Sequence, residues 1–196
     1  MHSNTGEKEQ GPGNDANRRV ALLIGLVLLG AFTRLIPHPP NFTSVGAVAL
    51  FAAFTFRKTW LACLIPLAAV LLSDGALHLI TPWPAFGVIK LFVLAALCLT
   101  MIGGRYLREP TPLKIGGCAI GSSLVFFIVT NFGVWLTGGG FHYPLNLQGL
   151  LATFTAAIPF FQWTLAGTLF YSAGLFGALK LAESALPGTR AESSPA

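Results

Sequence analysis

Residues 59–80 read TWLACLIPLAAVLLSDGALHLI. Apart from Ser73, Asp74 and His78, almost every side chain between Trp60 and Ile80 is apolar or small. A helix needs about 20 predominantly apolar residues to cross the hydrocarbon core of a bilayer, and this stretch supplies them. It also carries a carboxylic acid inside that apolar run. Both features, a membrane-length helix and a charge within it, recur as the reading moves outward.

Comparable apolar segments lie at roughly 19–36, 43–56, 85–104, 114–136 and 149–180. The second, with VGAVALFAAFTF, is short for a span and predicts a half-span or a tilted helix leaning on its neighbours. The last is long enough to continue past the membrane. Composition agrees: 54% of residues are hydrophobic and 10% charged, and the mean hydropathy is +0.69, outside the usual range of soluble domains. The 22 Gly and 13 Pro sit within or between apolar stretches, where membrane helices tolerate them. The expected fold class is therefore all-α, an integral membrane bundle of about six transmembrane helices. It occupies one domain at 18–182, with disordered cytoplasmic tails at 1–17 and 183–196. The apolar run from Val20 ends at Arg34 and Pro37 with no small-residue cleavage pattern, which favours a retained helix over a signal peptide.

Lys and Arg in short loops collect on the cytoplasmic side. With the N-terminus inside, the inner set is Lys8, Arg18, Arg19, Arg57, Lys58, Arg105, Arg108, Lys114, Lys180 and Arg190. Of the 12 basic residues only Arg34 and Lys90 fall elsewhere, so both ends are expected in the cytoplasm. Trp83, Trp135 and Tyr143 then lie near the outer surface and Trp60 near the inner one. The net charge of +5 forms no stripe suited to nucleic acid. Cys63, Cys98 and Cys118 have neither disulfide nor zinc spacing, and the two halves share no motif of an inverted repeat.

Ionisable groups within spans are costly and mark sites or pathways. Asp74 is the one acidic residue inside an apolar segment, and at 1.5 Å per residue it lies in the outer part of the membrane. Lys90 enters the fourth segment, and Arg34 ends the first, at similar depth. His78 follows Asp74 by four residues on the same helical face. Asn131 reaches a comparable depth on the fifth segment, and Gln162 lies nearer the midplane on the sixth. Two readings stay open. In one, Asp74 with Arg34 or Lys90 is a structural ion pair, and Asn131 bonds across to a neighbour. In the other, these groups floor an outward-open pocket roofed by the HPPNF and GGGFHYP loops, with His38, Asn41, His142 and Tyr143 around it. The prolines of RLIPHPPNFTSVGA stop the first helix in a rigid turn, and Asn41 or Thr43 can cap the second. The glycines at 138–140 read as a flexible loop or a gate.

The blocks RLIPHPPNFTSVGAVALF, LLSDGALHL, IVTNFGVWLTGGGFHYP and AAIPFF resemble an uncharacterised family of bacterial membrane proteins described as transport proteins, over most of residues 30–178. In size and six-helix layout that family is similar to the S-components of energy-coupling-factor transporters. The nearest are the small cobalamin-uptake S-components that act without a dedicated energising module. The resemblance implies an S-component-like bundle in the bacterial inner membrane that captures a vitamin-like solute, a cobalamin-type corrinoid among the candidates, from the outer side. A coupling ATPase module is a candidate partner, and no cofactor, metal site or nucleic-acid partner is expected. Two departures stand out. The cobalamin proteins use a cysteine towards cobalt, whereas Cys63, Cys98 and Cys118 map to the middle or inner half, leaving His78 as an alternative ligand. The Ala-x-x-x-Ala contact by which S-components dock has a match at Ala49 and Ala53, in a pattern common to membrane helices.

Three function classes follow. A transporter subunit binding a small organic solute would need a partner for ATP hydrolysis, since no G-x-x-x-x-G-K-[ST] is present. An intramembrane enzyme would use Asp74 and His78 as acid and base, but H-E-x-x-H, G-x-S-x-G and a second intramembrane carboxylate are missing. A structural or assembly protein would bind no solute.

Overall fold

The computed structural model describes residues 12–56, 58–80, 87–105, 107, 109–138 and 143–185. Among these residues the chain is all-helical, with six α-helices and no strand: α1 Pro12–Phe32, α2 Val45–Thr55, α3 Thr59–Ile80, α4 Ile89–Gly104, α5 Pro112–Thr137 and α6 Leu147–Ala185. A 3₁₀ turn, Thr33–Leu35, follows α1. Three of the helices, α3, α5 and α6, are long and apolar enough to cross a membrane. Each helix matches one apolar segment of the sequence. The first begins earlier than expected, at Pro12, inside the stretch assigned to the tail.

The short segment is the centre of the molecule. α2 has 11 residues, about 16 Å at helical rise, and it packs against all five other helices. From Ala47 to Ala53 no side chain is more than 1% exposed. A helix apolar on every side has no solvent face to offer and is stable only when enclosed. Close approach around it depends on small residues. A Cβ on Gly104 of α4 would lie 2.7 Å from the Ala53 Cβ and 3.0 Å from the Leu50 carbonyl oxygen, so α4 reaches the α2 backbone only without one. Ala49 and Ala53, read as a docking match, are instead covered within the chain, against Val70 of α3 and Leu97 and Met101 of α4.

The connection into α2 is fixed on both sides. Phe42 N–H donates to the Pro39 carbonyl at 3.0 Å, and Asn41 has φ 66°. Pro at the second and Asn at the third place, with positive φ, is the type II turn pattern. Neither Asn41 nor Thr43 caps α2. The N-cap is Ser44, whose hydroxyl donates to the Gly30 carbonyl of α1 at 2.5 Å, so it joins two helices. Phe42 then lies against Phe170 and Tyr171 of α6, with ring centres 5.8 and 5.7 Å away.

The outside of α5 is apolar along its length: Ile120, Leu124, Ile128, Phe132 and Leu136 are all exposed. Spaced four apart, they form one slowly drifting stripe.

Candidate functional site

Three buried helix faces end in a charged residue at the same end of the bundle. On α1 the buried positions Leu23, Val27 and Ala31 continue at helical spacing to Arg34. On α3 the line Ala62, Pro66, Val70 continues to Asp74. On α4, read backwards, Met101, Leu97 and the partly buried Val93 continue to Lys90. Residues three and four apart share a helix face, so these charges are carried inward by the same periodicity that buries the apolar side chains.

They meet on the carboxylate. Asp74 Oδ1 lies 2.7 Å from an Arg34 guanidinium nitrogen, and Asp74 Oδ2 accepts from Lys90 Nζ at 2.5 Å. The side chains are 14% exposed for Arg34, 5% for Asp74 and 20% for Lys90. Arg34 also donates to the Ser73 hydroxyl at 2.7 Å, which in turn donates to the Val70 carbonyl at 2.8 Å. One arginine therefore reads two consecutive residues of α3. Sequence reasoning missed Ser73, although its position directly before Asp74 was a usable signal: a hydroxyl beside a buried acid is a ready second acceptor for arginine. The pairing of Asp74 does not choose between Arg34 and Lys90; it takes both.

The remaining expected residues divide. His78, one turn beyond Asp74, emerges from the buried face and is exposed. His38 is half-buried, its Nδ1 3.0 Å from the Pro39 carbonyl oxygen within its own turn. Asn41 is exposed at the turn's left-handed position. Asn131 does not bond across to a neighbour: its amide donates to the Phe127 carbonyl of its own helix at 2.8 Å. Gln162 is exposed and donates to the Pro159 carbonyl, also on its own helix, at 3.0 Å. Tyr143 lines an open groove of about 490 Å³ with Trp135, Leu136, Thr137, Gly138, Pro144 and Leu145, and the Trp135 indole N–H donates to the Pro144 carbonyl at 3.1 Å. Arg34, Asp74 and Lys90 do not line that groove. His142 and Trp83 lie outside the described residues, as do Arg57, Arg108 and residues 139–142 of the second loop expected as a roof. No group of His, Cys, Asp and Glu suited to a metal ion occurs among the described residues, whose three cysteines are free.

Chemically, the cluster is a carboxylate saturated by two cations, with charge-assisted hydrogen bonds that fix geometry as well as add energy. It can clamp three elements together, and it can present cationic N–H groups to a ligand at its open edge.

No curated protein and no solved structure matches the chain. A model described as a family of unknown function (DUF6580) matches residues 14–189, and the chain belongs to that family.

Proposed function

We propose that this member of a family of unknown function is a multi-pass protein of the cell inner membrane that captures a small organic solute from the outer side, where Arg34, Asp74 and Lys90 meet. The observation that carries the reading is the cluster itself: three charged side chains, each at most one-fifth exposed, at the end of three apolar helix faces. Placing ionisable groups there is expensive, and such groups commonly mark sites or pathways. The membrane reading rests on α3, α5 and α6 and on the outward apolar stripe of α5, which suits lipid and not water. The basic residues Lys58, Arg105, Lys114 and Lys180 at the opposite end favour a cytoplasmic location for that end, and hence an outer location for the cluster. A vitamin-like solute, a corrinoid among the candidates, and a coupling ATPase module as partner extend the reading through the resemblance to S-components.

Thermal unfolding of the purified full-length chain against a panel of vitamins, cobalamin included, and common metabolites tests it. A ligand that binds the folded state raises the midpoint by mass action. At least one such shift is expected, and a panel without any shift would remove the reading.

A second reading, a structural or assembly protein with no solute, is favoured by Asp74 already committing both oxygens and by Asn131 and Gln162 turning to their own helices. An acid–base role for Asp74 and His78 has less support, because both Asp74 oxygens are already taken up by Arg34 and Lys90.

A further inference from the structure

We propose that the solute carries an anionic oxygen group, a carboxylate or phosphate, which docks on Lys90 and Arg34 at the edge of the cluster. This inference rests on the solute-binding reading and names its ligand class.

The charge count comes first. Arg34 and Lys90 contribute two positive charges and Asp74 one negative, leaving an excess of one positive charge in a largely buried place. The other acidic residues of the chain are Glu7, Glu9, Asp15, Glu109, Glu183 and Glu192. None lies in the connections 33–44, 81–88 or 138–146 at this end of the bundle, so no carboxylate of those connections can balance the cluster. An uncompensated charge away from water is costly, and a bound anion removes that cost.

Unspent donors come second. An ammonium group has three N–H donors, and Lys90 uses one on Asp74; the others have no partner among the described residues. The Arg34 Nε–H is buried and likewise lacks a partner among them. Lys90 is the most exposed member of the cluster and stands in the first turn of α4, whose N-terminal dipole adds positive potential. An anion can therefore draw on the more exposed Lys90 ammonium and on the Arg34 guanidinium, which share Asp74.

The test uses the full-length chain in nanodiscs of phosphatidylcholine, with sodium hexanoate, sodium hexyl phosphate and neutral hexanamide as probes at matched ionic strength. The thermal midpoint should rise with the two anions and not with hexanamide. Lys90→Gln, which leaves a balanced Arg34–Asp74 pair, should weaken the anion response roughly tenfold, the loss typical of one charged hydrogen bond. Its own cooperative unfolding transition reports that it has folded. Should Lys90→Gln unfold in the membrane, Lys90→Arg keeps the charge and should keep the anion response. Equal response to hexanamide, or an unchanged response in Lys90→Gln, would overturn the proposal. A response only to added phosphatidylglycerol would also overturn it, assigning the charge to lipid. If neutral metabolites of the wider panel shift the midpoint while these anions do not, solute binding stands and the anionic class falls.

Discussion

Asp74 is held by two cations at 2.7 and 2.5 Å and is almost fully buried, so its removal leaves two like charges facing each other without a counter-ion. Breaking a buried ion pair by deleting one partner typically costs about 3–5 kcal/mol. Asp74→Asn is expected to lose stability of that order in denaturant unfolding, and Lys90→Gln less, since a neutral pair remains. At Asn41, whose φ is 66°, Asn41→Ala should cost about 1 kcal/mol and Asn41→Gly almost nothing, because a Cβ disfavours the left-handed region. The same unfolding experiment measures both. The three charges were legible in the sequence because a charge stands out against an apolar run. Asn131 and Gln162 were assigned by depth alone, and depth cannot tell whether a polar side chain faces a neighbour or returns to a carbonyl of its own helix, which both do.

Helices pack as closely as their smallest residues allow, and α5 contains both outcomes. A Cβ on Gly133 would collide with the Phe92 ring of α4, whereas Gly121 faces open space. Gly133→Ala should destabilise the fold, and Phe92→Ala should relieve part of that loss in a double-mutant cycle. Gly121→Ala should stabilise by about 0.5–1 kcal/mol through helix propensity. Opposite signs from the same substitution on one helix check the α4–α5 interface directly. The helices themselves were legible from hydropathy to within a few residues at most ends. Their partners were not: Ala49 and Ala53 match a docking pattern common to membrane helices, and a small-x-x-x-small pattern does not say which helix it meets. The length of α2 was the better guide, since an apolar helix of 11 residues cannot span a bilayer of about 30 Å and is stable when enclosed.

The whole molecule brings the ends of α1, α3 and α5 and the starts of α2, α4 and α6 to one end, with the charged cluster, and the basic residues Lys58, Arg105 and Lys114 to the other. With Cys63, Cys98 and Cys118 replaced by alanine, a cysteine at Leu145 should react with an impermeant maleimide on intact cells, and one at Glu109 only after permeabilisation. The reverse pattern would invert the proposed orientation. The bundle and its asymmetry were legible in the sequence. The merging of two candidate ion pairs into a single cluster was not, because it depends on how three helix faces are turned towards each other around α2. What that cluster serves is tested most directly by native mass spectrometry of the full-length protein released from its own membranes. The expected result is a non-lipid small-molecule adduct on the wild type that is absent from folded Lys90→Gln. A wild type carrying only lipid, or an adduct equally retained by Lys90→Gln, would contradict solute capture at this site.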